Sequence, residues 1–384
     1  MRALAESASR ADRLKGYGLK VRIGFVIEQA LGHVAYGLGL RKALSARDDL
    51  ECAWLEVPYA LGRFEHVPWV GRNWTVRGSA RAWRQIRDAE REAPLDALFV
   101  HTQTVSLFAG GHMRRTPTLL SLDATPRNLD ELGGSYAHAV QSAPIEKLKL
   151  HSHRHVMRGA AQFTVWSNWT KASLVGDYGA DARKVTVVHP GTVLSNYPDP
   201  STRRPRHEGP LRILFVGGDF VRKGGDLLLD VFRRHLRGRA ELHLITAADV
   251  PQGDGVFVYR GLAPHSPELL ARYRDADVFV LPTRGDCLAV VLGEAMASCL
   301  PIITTRVGAH AEAVVDGESG YLIATDDPGA LREKLERLAS DRELAFRMGM
   351  RSRQIGEEDF DMNKNANRIA DILISLAKTS TNGI

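Results

Sequence analysis

The stretch DVFVLPTRGDCLAVVLGEAMASCLPIITT, Asp277 to Thr305, decides the fold. It opens on an apolar, β-rich run, crosses a short polar loop, continues with small and apolar residues suited to a buried helix, and returns to a β-rich run led by Pro301. Parallel strands covered by helices on both faces read as near-continuous apolar runs rather than alternating ones, so this is a strand-loop-helix-strand unit. The rhythm extends in both directions. Upstream, KVRIGFVIE, LECAWLEV, DALFVHTQT, PTLLSLDAT, QFTVWSN and KVTVVHPG are strand candidates, followed by LRILFVGG, ELHLITA and GVFVYRG; downstream lies GYLIAT. Helical patterns such as GGDLLLDVFRRHLRG and DPGALREKLERLASD fall between them. A chain of such units is an α/β protein with two Rossmann-like, doubly wound domains.

Pro190 to Pro210 carries five prolines and no apolar periodicity, and reads as the linker. It separates an N-terminal domain, 1–195, from a C-terminal domain, 196–364, with a terminal amphipathic helix at about 365–384 able to pack back on the first. The carboxyl ends of both sheets are expected to face an interdomain cleft, the usual ligand site of such folds.

At 384 residues, 44% hydrophobic and 25% charged, the chain suits a globular protein of about two domains. No apolar run approaches the ~20 residues of a membrane span, and Met1 to Lys20 lacks the apolar stretch of a signal peptide, so a cytoplasmic setting is expected. The three cysteines, Cys52, Cys287 and Cys299, have no metal-ligand spacing and read as reduced thiols. His151, His153 and His155 would place only the first and last on one helix face, which argues against a metal site there. A net charge of +6 favours anionic partners. No recognition motif points to nucleic acid.

Two segments carry the chemistry. In ILFVGGDFVRKGGDLLLDVF, a buried strand ends in Gly217-Gly218, a loop brings Arg222 and Lys223 together, and Gly224-Gly225-Asp226 opens a helix with Asp226 as the expected N-cap. Glycines let a backbone approach a ligand, and paired cations offset a diphosphate. Neither the Walker pattern nor the dinucleotide fingerprint occurs at this turn. In the opening stretch, Asp286 stands at the mouth of a helix and Glu294 about two turns in, where the helix dipole favours an anion. Carboxylates at that separation suit hydroxyl groups on two sugars joined through a diphosphate. The plainer alternative makes Asp286 an N-cap and Glu294 a paired core carboxylate.

The residues PTRGDCLAVVLGEAMASCLPIITTRVGAHAEAVVDGESGYLI, with FVGGDFVRKGG and more loosely VWSNWTKASLVGDYG and KVTVVHPG, resemble the retaining family 4 glycosyltransferases of the GT-B fold. The resemblance implies that Glu294 holds the nucleotide ribose, Asp286 a donor-sugar hydroxyl, Lys223 the diphosphate, and N–H groups near Leu288 and Ala289 the sugar or phosphate. It also places Gly32 and His33 in a glycine loop near donor phosphate and acceptor. Three positions depart from the family pattern. Asp286 stands where Glu is usual, Gly218 where Arg is common, with Arg222 as the candidate substitute, and Asp123 where a His often follows the strand PTLLSL. Asp123 is expected to orient the acceptor or a donor hydroxyl, unless it simply caps the next turn. His101 ends a strand on the same side and is a further acceptor-side candidate. GLGLRK falls inside a helical pattern, which discounts a nicotinamide site.

The implied reaction moves a hexose-type sugar from a nucleoside-diphosphate sugar, UDP-sugar favoured, to a hydroxyl acceptor on a glycan, lipid or small molecule. Retention by a front-face mechanism is expected, with no metal and no cofactor. The run WVGRNWTVRGSARAWRQIRDAER, with Arg72, Arg77, Arg81, Arg84, Arg87, Arg91, Trp69, Trp74 and Trp83, suits an anionic membrane surface and a lipid-linked acceptor, but equally a solvated helix. The competing classes are a catalytically silent nucleotide-sugar-binding protein and a GT-B epimerase or phosphorylase.

Overall fold

A computed structural model describes residues 20–30, 32–59, 73–136 and 142–382. Residues 1–19, where no signal peptide was expected, lie outside the described residues, as do Trp69 and Arg72 of the basic run. The chain divides into two compact units, one of 1–127, 140–189 and 363–384 and one of 128–139 and 190–362. Each holds a six-stranded, all-parallel sheet.

In the first unit the strands are β1 (Val21–Gln29), β2 (Leu50–Pro58), β3 (Ala97–His101), β4 (Thr118–Leu122), β5 (Gln162–Val165) and β6 (Val185–Val187), in the order β2-β1-β3-β4-β5-β6. The helices are α1 (His33–Leu44), α2 (Trp74–Glu92), α3 (Gly110–Arg115), the start of α4 (Pro126–Leu132), which from Asn128 belongs to the second unit, α5 (Ala143–Arg158) and α6 (Asn168–Gly176). Strands β3 and β4 are buried at every position because both their faces are covered, whereas β2, at the sheet edge, is half-exposed along most of its length. One core joins Val26, Leu98, Val100 and Leu120 of the sheet to Ile86 of α2 and Met157 of α5.

In the second unit the strands are β7 (Leu211–Val216), β8 (Ala240–Ile245), β9 (Val256–Tyr259), β10 (Val278–Leu281), β11 (Ile302–Thr305) and β12 (Gly320–Ile323), in the order β12-β11-β10-β7-β8-β9. The helices are α7 (Gly225–Val231), α8 (Pro267–Asp275), α9 (Val290–Ala297), α10 (His310–Ala313), α11 (Pro328–Ser340) and α12 (Arg342–Asp359). Helix α13 (Met362–Asn382) follows. From Asn363 it belongs to the first unit, where Asn365 Nδ2 donates to His189 O at 3.0 Å and Arg47 Nη1 reaches Asp371 Oδ1 at 3.1 Å.

Both sheets contain a place where the strand order reverses: between β1 and β3 in one, and between β7 and β10 in the other. Loops leaving such neighbours run to opposite sides and open a crevice at the carboxyl edge. The four loops involved follow Gln29, His101, Val216 and Leu281.

The proline-rich segment is ordered rather than a loose tether. Tyr197 is buried, Thr192 N donates to Phe360 O at 2.8 Å, and Arg206 and Arg342 converge on Asp277. Arginine stems and short 3-10 turns at 194–196 and 200–202 supply what apolar periodicity does not. Among the described residues no helix is long and apolar enough to cross a membrane.

Helix α12 approaches the end of α9 closely at Gly349, where a Cβ would stand 2.1 Å from Cys299 O. The contact is with backbone, which cannot swing aside. Gly349→Ala is expected to destabilise the protein by about 1–3 kcal/mol, read as a lower urea midpoint at unchanged m-value.

Candidate functional site

Within the second unit, the two loops at the strand reversal meet. The loop after β7 brings Lys223 Nζ onto Asp286 Oδ2, from the loop after β10. Both side chains are nearly buried. Burial would push the Asp286 carboxyl up, but Lys223, with His310 and Arg222 nearby, holds it below the ordinary carboxylate range. Asp286 is therefore charged and paired.

Glycines make this contact possible. Gly224 has φ 75°, and a Cβ there would fall 2.0 Å from Pro282 O, so only glycine lets the start of α7 press on the loop after β10. Gly224, not Asp226, caps α7; Asp226 lies in the first turn and pairs with Arg284 at 2.7 Å. Around Gly218 a Cβ would meet nothing within 4 Å. Its lack of a side chain leaves open space rather than relieving a clash. Arg222 braces the loops, with Nη1 donating to Gly285 O at 2.7 Å and Nε to Asp219 Oδ2 at 3.1 Å.

Helix α9 begins at Val290, two residues later than the apolar run suggests, because Ala289 is still extended. Leu288 and Ala289 are buried in the turn before it, and among the described residues no backbone carbonyl accepts from their N–H groups. Unsatisfied N–H groups at a helix entrance suit an anion. Glu294 is buried on α9, where Tyr273 Oη donates to its Oε2 at 2.6 Å. Burial raises Glu294 to about 7, with the Tyr273 bond pulling in the opposite direction. Tyr273, from α8, and Tyr197, edge-on to it, were not singled out from sequence. Nothing in its local sequence marks Tyr273 as the partner of a carboxylate.

The first unit gathers a second cluster at its own strand reversal. His33, at the start of α1 just after Gly32, places Nε2 3.3 Å from Asp123 Oδ2 and Nδ1 3.6 Å from Glu28 Oε2. Burial lowers the imidazole pKa, but the bond to Asp123 and the two carboxylate charges outweigh it and raise His33 to about 10. Asp123 is held below its ordinary value by His33, against burial. The pair was not foreseen, since its members were read as separate candidates ninety positions apart. Glu28, at the end of β1, was missed altogether. It accepts from Thr102 Oγ1 at 2.9 Å and from Trp74 Nε1. A lone acid closing an apolar strand was the available signal.

His101 is wholly buried, stacked on Trp166 and edge-on to His33, with Nδ1 3.1 Å from Ser121 Oγ. Burial and the His33 charge lower it to about 3, so it is neutral and shapes the position of His33. Among the described residues no cluster of three or more His, Cys, Asp or Glu is arranged to hold a metal.

These titrations fix two stability profiles. Glu294 titrates near 7 when folded against 4.5 as reference, so the folded state retains a proton that the unfolded chain has released between those values. Its contribution to stability therefore falls as pH rises from 4.5 to 7 and levels off above. Glu294→Gln is expected to flatten that slope and to raise ligand-free stability at about pH 8 by on the order of 2 kcal/mol, measured by chemical denaturation. His33 acts in the same direction at higher pH: the stability from its raised pKa is fully present below 6.5 and is lost as pH climbs through about 10. His33→Gln is expected to cost about 3 kcal/mol near neutral pH and almost nothing above the folded pKa.

Two family descriptions match the chain: "Glycosyltransferase Family 4" over residues 38–196 and "Glycosyl transferases group 1" over residues 210–341. The D-inositol 3-phosphate glycosyltransferase of Corynebacterium efficiens is 29% identical over 264 residues, 62% of this chain and 62% of that protein. The chain thus spans less than two thirds of that relative's length. Among solved structures, sucrose-phosphate synthase from Thermosynechococcus elongatus aligns with a TM-score of 0.72 at 18% identity, covering 93% of this chain and 99% of that one. Anabaena HepE in complex with UDP-glucose aligns at 0.66 and 16%, covering 92% and 99%. At these identities the likeness establishes the GT-B fold. The two family matches together span most of the described sequence, and the chain belongs to the family 4, group 1 glycosyltransferases.

Proposed function

We propose that the chain transfers a sugar from a nucleoside-diphosphate sugar to a hydroxyl acceptor with retention of configuration. The observation that carries this is the meeting of Lys223 with Asp286 at the strand reversal of the second sheet, on the helix entrance that precedes Glu294. A diphosphate needs a fixed cation and N–H donors; Lys223 and the N–H groups of Leu288 and Ala289 supply them. A ribose needs a hydroxyl acceptor in a dry site, and Glu294 is one. The UDP-glucose bound by Anabaena HepE, a protein of the same fold, supports UDP-sugar as the first donor to test.

In the reaction the bond from the anomeric carbon to the leaving phosphate oxygen breaks, and a bond to the acceptor oxygen forms on the same face. The acceptor proton passes to the leaving phosphate. Asp286 is tied to Lys223, which disfavours it as an attacking nucleophile and favours this front-face route. Lys223 offsets the charge that develops on the phosphate, a role served elsewhere by a divalent metal. Asp123, polarised by His33, is the acceptor-side group best suited to hold a hydroxyl.

A polyol or glycan acceptor fits better than a lipid surface. Of the basic run, Arg77 is buried over Trp74, Arg81 donates to Pro58 O and Arg87 stacks over Trp83, leaving Arg84 and Arg91 exposed, and Asp88 pairs with Arg84, Arg87 and Arg91. The acceptor in the Corynebacterium relative's name, an inositol phosphate, is also a polyol.

The test is a thermal-shift and binding series with UDP, GDP, ADP and their sugar conjugates, with and without EDTA. One base is expected to stabilise the protein, equally in EDTA. Glu294→Ala is expected to weaken binding of the bare nucleotide at least tenfold, whereas Asp286→Asn should leave it within a few-fold and lower transfer by about a hundredfold. Equal nucleotide binding by wild type and Glu294→Ala would contradict the ribose role, and loss of transfer in EDTA the metal-independent route.

A further inference from the structure

His310 takes no part in the reaction as derived above, yet it stands beside the pair at its centre. The turn that carries it is pressed onto the Asp286 loop: Gly308 has φ 50°, a Cβ there would lie 2.2 Å from Asp286 O, and Ala309 N donates to Cys287 O at 2.7 Å. The ring is completely buried and within electrostatic range of both Asp286 and Lys223.

Its protonation follows from one neighbour. Thr304 Oγ1 gives its single proton to Leu281 O at 2.8 Å, so toward His310 Nδ1, 2.9 Å away, it can only accept. Nδ1 therefore carries the hydrogen. Burial, reinforced by Lys223 and opposed by Asp286, lowers the imidazole to about 4, and the ring is neutral. A neutral ring protonated at Nδ1 has a bare lone pair on Nε2. That atom is buried and has no hydrogen-bond partner among the described residues.

A buried acceptor left without a donor carries its full desolvation penalty, and such an atom in a folded protein calls for an explanation. Lys223, whose ammonium is on Asp286, makes no hydrogen bond to it. A ligand hydroxyl can supply the donor. We infer that His310 Nε2 accepts a hydrogen bond from one hydroxyl of the transferred sugar, next to the hydroxyl held by Asp286, and so helps select which sugar the donor site takes. The inference rests on the donor-site reading above. It also accounts for how the shorter Asp286 is tolerated: a second acceptor shares the reading of the sugar.

The experiment measures affinity for the bare nucleotide, for its glucose or mannose conjugate, and for that conjugate's four monodeoxy analogues. UDP-glucose, ADP-glucose or GDP-mannose is used according to the base that binds. The proteins are wild type, His310→Asn and His310→Gln. Asn keeps a donor near the Nδ1 position and removes the Nε2 acceptor, whereas Gln can return an acceptor to it. In wild type, one deoxy analogue is expected to bind about tenfold more weakly than its parent. In His310→Asn the parent conjugate is expected to weaken about tenfold and to bind no better than that same analogue, with bare-nucleotide affinity unchanged. His310→Gln is expected to restore part of the discrimination. A structural role alone would lower thermal stability without coupling to one hydroxyl. Retained discrimination at all four positions in His310→Asn overturns the inference while leaving the nucleotide site standing. Failure of every nucleotide to bind wild type overturns the donor-site reading, and this inference with it.

Discussion

One buried ion pair, Lys223 with Asp286, governs the second unit's carboxyl edge. Taking two charges out of water is costly unless geometry and further hydrogen bonds compensate, so the surrounding loops are built to hold the pair. Gly224 and Gly308 let three segments of backbone approach to distances no side chain would permit, and Arg222 and Arg284 stitch the loop after β7 to the loop after β10 through Gly285 O and Asp226. The pair lies where the strand order reverses, which is where two loops diverge and leave room. Topology supplies the opening, and the ion pair places a charge in it.

The two carboxylates near that opening are driven to opposite states by their neighbours. Asp286 has a cation and stays ionised; Glu294 has a phenol and is raised to about 7 by burial. Paired titratable groups pushed apart in this way can take different tasks. Asp286 is suited to a site where charge develops during a reaction, and Glu294 to hydroxyls that replace the water it has lost. The first unit repeats the logic with the sign reversed, since His33 gains a charge from Glu28 and Asp123 while His101, stacked beside it, is kept neutral.

The fold was largely legible because the central strands read from the sequence are covered on both faces, and a run such as VFVL or ILFV has no other stable place to go. Helix starts were less legible. Ala289 extends the loop before α9, and Gly224 takes the cap position that Asp226 was expected to hold, since both depend on backbone conformation. At the site, Lys223, Asp286 and Glu294 could be picked out by residue type and spacing. Their neighbours could not, because Tyr273 and His310 come from other segments with no local signature, as does Glu28 beside His33 in the first unit. A buried tyrosine in a short helix, an acid at a strand end and a histidine after a glycine turn are unremarkable until the sheets bring them together.

The departures at Gly218, Asp123 and Asp286 raise the question of a degenerate site. Physical reasoning argues against it. A site released from function has no reason to keep buried ionisable groups, because apolar replacements of similar volume are often as stable or more so. Here two of the departures have a counterpart. Asp123 is met by His33, and the shorter Asp286 by Lys223 with His310 at hand. Glu294 remains buried although its charged form is disfavoured there, which burdens the ligand-free protein above neutral pH. Retaining such a group is understandable where a ligand's hydroxyls complete its hydrogen bonding, as they would in a donor site.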